Sequence, residues 1–353
     1  MRSPDAVRAF VARRMPGFEP VEAHPLPGGN LNFVWRVEGR GGPVIVKHAP
    51  PFIARAPEIP LDPSRLAFEA RALEAFGDGG SLAALAREAV RPPRLLAFDA
   101  DAHALVMEDV GEAPDLGAWL HAAPRTPDAV RDAGRTLGAF VGSLHRASLG
   151  DARLAARFRN LVIQETRLDV QYRAVAEMCA SGGVPDAPVL GATAVALGEM
   201  LLAPGRCLLM GDLWPASILV TPEGLRLIDW EFAHFGRPLQ DVAHLAAHLW
   251  MHAHRAPDAA RADAALTLLG AFLQAYRRAL GPAHAALFDA GELRGCAVHF
   301  ACEILVRTTG PFRDGYLYEG LPPDAPPIRE AVAVAAEHLR RPDRVDTFVT
   351  LKA

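Results

Sequence analysis

Lysine and asparagine are almost absent from this chain of 353 residues, so the few positions that keep them are the first candidates for chemistry. Among 37 lysines and arginines, only Lys47 and Lys352 are lysine, and the asparagines are Asn30, Asn32 and Asn160. A compact ammonium and a side-chain amide offer hydrogen-bonding geometries that a guanidinium cannot copy. These exceptions are therefore candidate functional residues.

Two aspartates border a predicted β-hairpin in the second half of the chain. The apolar segments Ser217–Val220 and Leu225–Ile228 predict short strands joined by a tight turn. If the strands are antiparallel, Asp212 before the first and Asp229 after the second emerge at the same end. Such a pair of carboxylates is a candidate for chemistry, and Glu231 lies two residues after the second of them.

The elements that precede these aspartates predict an N-terminal region rich in strands. An amphipathic helix is predicted over 1–17, and Gly28 and Gly29 open a hairpin whose second strand, Val44–Lys47, ends in the rare lysine. Residues 50–64 are repeatedly interrupted by proline, which predicts an ordered loop without regular structure.

A helix is predicted to start at a Ser64 cap and to end at Phe76, with Glu69 beside its apolar stripe. Strands follow around Leu95–Phe98 and Ala104–Glu108. Beyond the short connection at 108–114 the pattern becomes helical, with periodic segments at 128–147, 241–252, 264–280 and 292–307. We therefore predict two domains, residues 1–110 and residues 111–353.

In chain order, these features resemble the protein-kinase-like fold. The segments GGNLNFVWRV, VIVKHAPPFIARAPEIPLDPSRLAFEARAL, MGDLWPASILV and IDWEFAHFG resemble the aminoglycoside phosphotransferase/choline kinase-like family, and within it most closely the methylthioribose kinases. The resemblance covers roughly residues 24–242. It implies an α+β, bilobal fold with a small β-rich N-terminal lobe and a larger helical C-terminal lobe.

The resemblance also implies an ATP-dependent, Mg²⁺-using kinase whose partner is a small-molecule hydroxyl acceptor, a sugar or a thiosugar. It assigns nucleotide binding to Gly28, Gly29, Asn30, Asn32, Lys47, Glu69 and Glu108, metal binding to Asp229, Glu231 and Ser217, and the role of catalytic base to Asp212. Glu74 is the competing partner for Lys47. A homodimer is a further expectation.

Several positions depart from the family's pattern. Met210 replaces a histidine expected two residues before Asp212, Trp214 and Pro215 replace a smaller polar pair, and Arg294 is the one doubtful match to a pair of acceptor-binding arginines. The ring of Trp214 either forms the floor of a different acceptor pocket or packs in the core. Aminoglycoside-type phosphorylation therefore stays open as an alternative, as does a pseudokinase scaffold that binds nucleotide without turnover.

Histidines recur every four residues at His244, His248 and His252, on one face of a predicted helix. Stacked imidazoles can bind zinc. No carboxylate or cysteine joins them at ligand spacing in the sequence, so we predict a packed or solvent-facing stripe rather than a metal site.

Composition excludes several classes of function. The 37 basic and 41 acidic residues leave a formal charge of −4, without the basic excess of a typical nucleic-acid binder. Hydrophobic residues make up 50% of the chain, which is typical of globular proteins rather than disordered ones. The four cysteines form no C-x-x-C pair, and no uncharged apolar run reaches membrane-spanning length. We expect no nucleic-acid or membrane partner and a cytoplasmic location.

Overall fold

The computed structural model describes residues 1–27, 31–122, 124–344 and 346–352. The chain divides into two compact units. The first comprises Met1–Ala113 and Thr221–Ala233, and the second comprises Pro114–Val220 and His234–Ala353. This division differs from the predicted one, because residues 221–233 group with the N-terminal unit although they lie deep in the C-terminal part of the sequence. Asp229 and Glu231 therefore belong to the same unit as Lys47.

Twelve strands occur in the described residues. They are β1 (Pro20–Pro25), β2 (Phe33–Gly39), β3 (Val44–His48), β4 (Phe52–Ile53), β5 (Ala56–Pro60), β6 (Val90–Arg91), β7 (Leu95–Asp99), β8 (Ala104–Glu108), β9 (Cys207–Leu209), β10 (Ile218–Thr221), β11 (Gly224–Leu227) and β12 (His234–Gly236). Five of the strands form an antiparallel sheet in the order β1-β2-β3-β8-β7. Strand β11 pairs in parallel with β6, which joins residues 221–233 to the first unit.

The register of the central strand β3 separates its two faces. Lys47 lies opposite Val34 of β2 and Leu105 of β8, so these three side chains share one face of the sheet. The other face packs against the N-terminal helix in a core built from Val7, Phe10, Val11, Trp35, Val37, Val44, Val46 and Val106. Burial of each large apolar side chain in such a core contributes roughly 1.5–3 kcal/mol. The helix thus covers one face of the sheet, and Lys47 lies on the opposite face.

Two local predictions in this unit were wrong. The proline-rich segment 50–64 contains the antiparallel pair of β4 and β5, in which Phe52 lies opposite Pro60. Proline is tolerated in such a short edge pair because few ladder hydrogen bonds are needed. The helix that carries Glu69 starts at Leu66, after a 3-10 turn at Pro63–Arg65 whose cap is Asp62 rather than Ser64.

Thirteen α-helices are described, and most lie in the second unit. They are α1 (Pro4–Arg14), α2 (Leu66–Phe76), α3 (Leu116–Ala122), α4 (Pro127–Ala147), α5 (Ala152–Arg157), α6 (Leu161–Arg167), α7 (Val175–Ser181), α8 (Ala187–Met200), α9 (Leu239–His254), α10 (Ala259–Leu280), α11 (His284–Leu287), α12 (Ala290–Thr308) and α13 (Pro326–Arg340). A π-helical segment, Leu168–Arg173, continues α6. The four predicted helical segments correspond to α4, α9, α10 and α12, with ends that differ by a few residues. Among the described residues, no helix has the length and apolar character needed to cross a membrane.

A glycine stripe lets α4 and α10 pack backbone to backbone. Gly134, Gly138 and Gly142 recur every four residues on α4 and face α10. A Cβ atom at Gly138 would lie 2.2 Å from the carbonyl oxygen of Phe272, and the helices would have to separate to admit it. This close contact holds α4, which carries His145, at a fixed distance from the rest of the second unit.

We expect Gly138→Ala to lower the free energy of unfolding by about 1–3 kcal/mol, because the added methyl group meets backbone that cannot rotate away. Gly270→Ala on α10 is the matched control, since a Cβ atom there has no neighbour within 4 Å. That substitution should stabilise the protein by about 0.5–1 kcal/mol through helix propensity. Urea unfolding followed by circular dichroism measures both changes, and a similar effect of the two substitutions would contradict the packing argument.

Candidate active site

Lys47 lies among three carboxylates in the first unit. Its ammonium nitrogen is 2.7 Å from Glu69 Oε2 and 2.7 Å from Asp229 Oδ1. The nitrogen is also 3.2 Å from Glu231 Oε1. The lysine is only 2% exposed, whereas Glu74, the competing partner, lies exposed on the outer side of α2. The structure thus brings together four residues that the sequence assigned to one site.

The backbone at Asp229 holds its carboxylate beside the lysine. Asp229 adopts φ 66° and ψ 56°, a left-handed conformation that is uncommon outside glycine and that clusters at functional sites. The next residue, Trp230, is fully buried with its ring centroid 5.0 Å from that of Phe76 on α2. Its Nε1 donates a hydrogen bond to the carbonyl of Leu227 at 2.8 Å. Trp230 anchors this segment while the side chain of Asp229 stays 43% exposed.

Arg65 is a member of the site that sequence reasoning missed. Its Nε donates to Glu231 Oε2 at 2.7 Å, and its Nη2 donates to Asn32 Oδ1 at 2.8 Å. Asn32 closes the ring by donating from Nδ2 to Glu231 Oε1 at 2.6 Å. All three side chains are buried. Arginine is common in this chain, so no sequence signal distinguished this one.

The charges of the site do not cancel. Lys47 and Arg65 supply two positive charges, and Glu69, Asp229 and Glu231 supply three negative charges when all are ionised. Although burial alone would lower the pKa of Lys47, the carboxylates of Asp229, Glu231 and Glu69 raise it well above its usual value. Burial raises the pKa of Glu69 to about 7, against the opposing effect of Lys47. The surplus negative charge favours a cation.

Asp229 is the carboxylate best placed to receive a divalent cation. Mg²⁺ prefers carboxylate oxygens and keeps several water ligands, which requires an accessible oxygen. Asp229 meets this requirement through its exposed edge. Both oxygens of Glu231 are already contacted, by Asn32 and Lys47 on one side and by Arg65 on the other. The metal-binding role of Glu231 stays a prediction.

Four further residues were predicted to bind the nucleotide. Gly28, Gly29 and Asn30 lie outside the described residues. The carboxylate of Glu108 accepts hydrogen bonds from Arg91 at 2.7 and 2.9 Å, and this pairing outweighs burial to lower the pKa of Glu108. Its nucleotide-binding role stays a prediction.

Asp212 lies in the second unit, in the loop between β9 and β10. Its Oδ1 accepts a hydrogen bond from Arg167 Nη2 at 3.1 Å and lies 3.3 Å from His244 Nε2. Burial opposes ionisation, but His244 and Arg167 outweigh it and lower the pKa of Asp212 below its usual value. The side chain is 22% exposed. Asp212 is thus an ionised carboxylate with an accessible edge, as a group that orients or deprotonates a hydroxyl must be.

The loop before Asp212 is braced by Asp241 of α9. Asp241 accepts hydrogen bonds from the backbone N–H groups of Met210 at 2.9 Å and Gly211 at 2.8 Å. His145 Nε2 lies 3.2 Å from the same carboxylate. Burial opposes ionisation, but His145 and the two amides lower the pKa of Asp241. The loop is therefore held without a histidine at position 210, and Met210 packs in the core.

Ser217 fastens the other end of this loop. Its buried Oγ lies 3.1 Å from the carbonyl oxygen of Asp212 and 2.9 Å from that of Trp214, and it accepts from the Trp214 N–H at 3.2 Å. These contacts give the serine a structural role in the loop, and its role as a metal ligand stays a prediction.

The histidine stripe is buried, and a carboxylate from another helix joins it, which the spacing along the sequence did not indicate. Glu303 of α12 lies with its oxygens 3.4 Å from His244 Nδ1 and 3.0 Å from His248 Nε2. The three ligand-type atoms lie within 4.8 Å of one another, so these side chains could hold a metal ion. His252 instead hydrogen-bonds with His121 at 2.8 Å. Periodicity along one helix cannot reveal a partner from another helix.

Aromatic rings and a guanidinium cluster at Trp214, two residues after Asp212. The guanidinium carbon of Arg307 lies 4.7 Å from the Trp214 ring centroid and 5.0 Å from that of Tyr316. Cation–π contacts of this kind are worth about 0.5–2 kcal/mol. Arg294, the doubtful match in sequence, instead approaches Asp343 and is 56% exposed. Arg307 therefore lies beside this part of the loop, in addition to Arg167, which contacts Asp212.

The predicted convergence of Asp212 and Asp229 stays a prediction. The turn between their strands is present, with the Thr221 hydroxyl donating to the Gly224 carbonyl at 2.9 Å. However, Asp212 belongs to the second unit and Asp229 to the first.

Comparison with known proteins identifies the relatives of this arrangement. Residues 22–287 match the family described as the phosphotransferase enzyme family. A 4-hydroxytryptamine kinase from Psilocybe cyanescens is 30% identical over 237 residues, which cover 62% of this chain and 64% of that kinase's length. A methylthioribose kinase from Exiguobacterium sibiricum is 25% identical over 273 residues, 72% of this chain and 67% of that protein.

Solved structures share the fold at lower identity. A complex of the amicoumacin kinase hAmiN with AMP-PNP, Ca2+ and Ami aligns with a TM-score of 0.57 at 12% identity, covering 96% of this chain and 92% of that one. A glucosamine kinase aligns with a TM-score of 0.56 at 19% identity, covering 96% and 85%. The predicted kinase-like fold, with a β-rich N-terminal region and a mostly helical remainder, is confirmed.

We expect Arg65→Lys to lower the free energy of unfolding by roughly 1–3 kcal/mol, because an ammonium cannot replace the paired contacts to Glu231 and Asn32. Arg40→Lys is the matched control, since Arg40 makes an exposed pair with Glu19. That substitution should change stability by less than about 0.5 kcal/mol. Thermal unfolding of both variants tests the difference, and equal stability of the two would refute the buried ring.

Proposed function

Because the chain belongs to the phosphotransferase enzyme family, we propose that it is an ATP-dependent kinase that transfers the γ-phosphate to a hydroxyl group of a small molecule. The observation that carries this proposal is the position of Lys47, buried and 2.7 Å from both Glu69 and Asp229. A lysine oriented by a glutamate, beside an exposed aspartate, is the arrangement that phosphoryl transfer needs to hold a nucleotide.

The first unit supplies the nucleotide side of the reaction. We assign Lys47 to the α- and β-phosphates, with Glu69 keeping the ammonium oriented. Asp229 presents its exposed oxygen to a divalent ion, and that ion, when bound, neutralises charge on the phosphate oxygens. Arg65 and Asn32 hold Glu231 in place, so the carboxylate cluster keeps its shape when a nucleotide binds.

The second unit supplies the acceptor side. We assign Asp212 to the acceptor hydroxyl, which it orients and from which it accepts the proton as the new O–P bond forms. Arg167 and His244 keep Asp212 ionised, since both lower its pKa. Asp241 and Ser217 hold the backbone of the loop on either side, so the carboxylate has a defined direction.

A sugar or thiosugar hydroxyl is the acceptor that we propose first, on the resemblance to methylthioribose kinases. A hydroxyl on an aromatic ring is the second candidate. It is supported by the relative named 4-hydroxytryptamine kinase and by the rings of Trp214 and Tyr316, which offer a stacking surface near Asp212. Protein acceptors are disfavoured, because only eleven residues separate Asp229 from Asp241 and leave no extended segment for docking a peptide.

The pseudokinase alternative loses its main argument. It rested on Met210 and Ser217, yet Asp241 braces the loop that Met210 leaves without a histidine, and Ser217 fastens the same loop. We therefore favour an active kinase over a scaffold.

We expect ATP consumption that depends on both Mg²⁺ and a small hydroxyl acceptor. The test incubates the enzyme with Mg·ATP and, separately, methylthioribose, glucosamine, an aminoglycoside and 4-hydroxytryptamine, and identifies the phosphorylated product by mass spectrometry. Product from one acceptor selects its class. Nucleotide binding without product from any of the four would favour the scaffold alternative.

Substitution of Asp212 and of Asp229 should have different effects, because we assign them different roles. Asp212→Asn keeps the size of the side chain but removes the base, so turnover should fall by roughly 10²–10⁴-fold while the affinity for Mg·ATP barely changes. Asp229→Ala should abolish the Mg²⁺ dependence of nucleotide binding together with turnover. Calorimetry with ATP, with and without Mg²⁺, and single-turnover rates measure both effects. The assignment fails if Asp212→Asn loses nucleotide binding while Asp229→Ala keeps its metal response.

A further inference from the structure

A single imidazole separates two carboxylates behind Asp212. His244 Nε2 lies 3.3 Å from Asp212 Oδ1, and His244 Nδ1 lies 3.4 Å from Glu303 Oε2. His244 is 2% exposed. Neither ring nitrogen has a conventional hydrogen-bond partner among the described residues, although each faces a carboxylate at a slightly long distance. A buried polar group left in this way requires an explanation, because unpaired burial is costly.

Glu303 is held rigidly on the far side of this imidazole. Gln171 Nε2 donates to its Oε2 at 2.8 Å, Arg307 Nε donates to its Oε1 at 3.0 Å, and His248 Nε2 lies 3.0 Å from the same oxygen. These partners come from three elements, namely the π-helical segment, α12 and α9. The carboxylate is 2% exposed and cannot turn towards solvent without breaking all three contacts. Glu303 therefore presents a fixed oxygen to His244.

The ring of His244 is also fixed by its neighbours. Its centroid lies 4.9 Å from that of His248 and 5.7 Å from that of His299. His299 in turn hydrogen-bonds through Nδ1 with the hydroxyl of Tyr172 at 2.6 Å. The imidazole thus has little freedom to rotate, and its Nε2 stays directed at Asp212.

We propose that His244 is a positioning residue for Asp212, and that it forms with Glu303 a carboxylate–imidazole–carboxylate array that aims the Asp212 carboxylate at the acceptor hydroxyl. This inference rests on the proposed kinase activity and extends it. As in a catalytic triad, a buried carboxylate orients an imidazole, but here the imidazole orients a second carboxylate instead of taking a proton from the nucleophile. Arg167 contacts the same oxygen of Asp212. Without His244, that single contact would leave the carboxylate free to rotate about it.

The array does not change which bonds form and break in the phosphoryl transfer. The acceptor oxygen forms a bond to the γ-phosphorus, the bond from that phosphorus to the β,γ-bridging oxygen breaks, and the electron pair of that bond leaves with ADP. The acceptor proton passes to Asp212. His244 takes no part in bond making, and its contact at 3.3 Å keeps Oδ1 of Asp212 occupied so that the other oxygen faces the acceptor.

The array has a consequence for pH dependence. The charged and titratable groups that face Asp212 and His244 are Arg167, His248, His299, Glu303 and Arg307. Burial would raise the pKa of Asp212, and His244 is the main group that outweighs it. Removal of the imidazole should therefore raise this pKa. Because the reaction needs the ionised carboxylate, activity should then be lost at a higher pH on the acid side.

The test is His244→Gln, studied in the full chain with Mg·ATP and the acceptor that the wild-type enzyme phosphorylates. We expect kcat to fall roughly 10–100-fold, as is usual when the partner of a functional group is removed. The acid limb of the kcat profile should move to higher pH, and the KM for ATP should stay within about twofold. A purely structural role would lower the fraction of active enzyme without moving the acid limb.

Two further variants keep the inference testable. His252→Gln is the matched control on the same helix, because its buried imidazole contacts His121 rather than either carboxylate, and it should leave the pH profile unchanged. Glu303→Gln keeps size but removes the charge that faces the imidazole, so kcat should fall while the KM for ATP stays within about twofold. This second variant carries the test if His244→Gln does not fold.

The outcomes separate the inference from the proposed function. If the wild-type enzyme phosphorylates no acceptor, the proposed function fails before the variants are compared. If the wild-type enzyme is active and folded His244→Gln keeps both its kcat and its acid limb, the inference is overturned. An equal shift of the acid limb in His252→Gln would also overturn it, since a general loosening of α9 would then explain the effect.

Discussion

The burial of the Lys47 ammonium is the constraint on which the first unit depends. A lysine that is 2% exposed can remain charged only if carboxylates surround it, and each of those carboxylates then needs its own support. Glu69 is supplied by α2, and Asp229 is supplied by a left-handed turn anchored by Trp230. The requirement therefore extends from one side chain to a strand, a helix and a segment that is distant in sequence. It explains why residues 221–233 group with the N-terminal unit.

Arg65 completes this balance. Without it, the cluster would contain one ammonium against three carboxylates, and the repulsion among them would favour protonation or separation. With it, a single surplus negative charge remains when all three carboxylates are ionised, and the exposed oxygen of Asp229 is where a cation can reduce that surplus. The charged groups of this cluster are thus ordered by one another, and a ligand that binds there would not have to order them.

In the second unit, histidines rather than a lysine lie beside the carboxylates. Asp212 and Asp241 are both carboxylates beside imidazoles, but their remaining partners differ. Asp241 is closed off by His145 and two backbone amides, so it holds the loop and nothing else. Asp212 keeps an accessible edge and therefore remains available to a ligand. The relatives of this chain carry the names of kinases for different acceptors.

The sequence by itself predicted the main helices, because periodic burial leaves a local pattern, and it predicted the kinase-like fold through the resemblance of four segments to a known family. It also indicated Lys47, Glu69, Asp212 and Asp229, each of which lies next to a recognisable strand or helix. Tertiary structure decided the identity of their partners. Arg65, Asp241 and Glu303 are ordinary residues of abundant types, and they acquire a role only when packing removes water and brings a charge from another element within hydrogen-bonding distance. Because the energy of a buried charge depends on what surrounds it in three dimensions, no spacing along the chain could distinguish these three residues from their exposed counterparts.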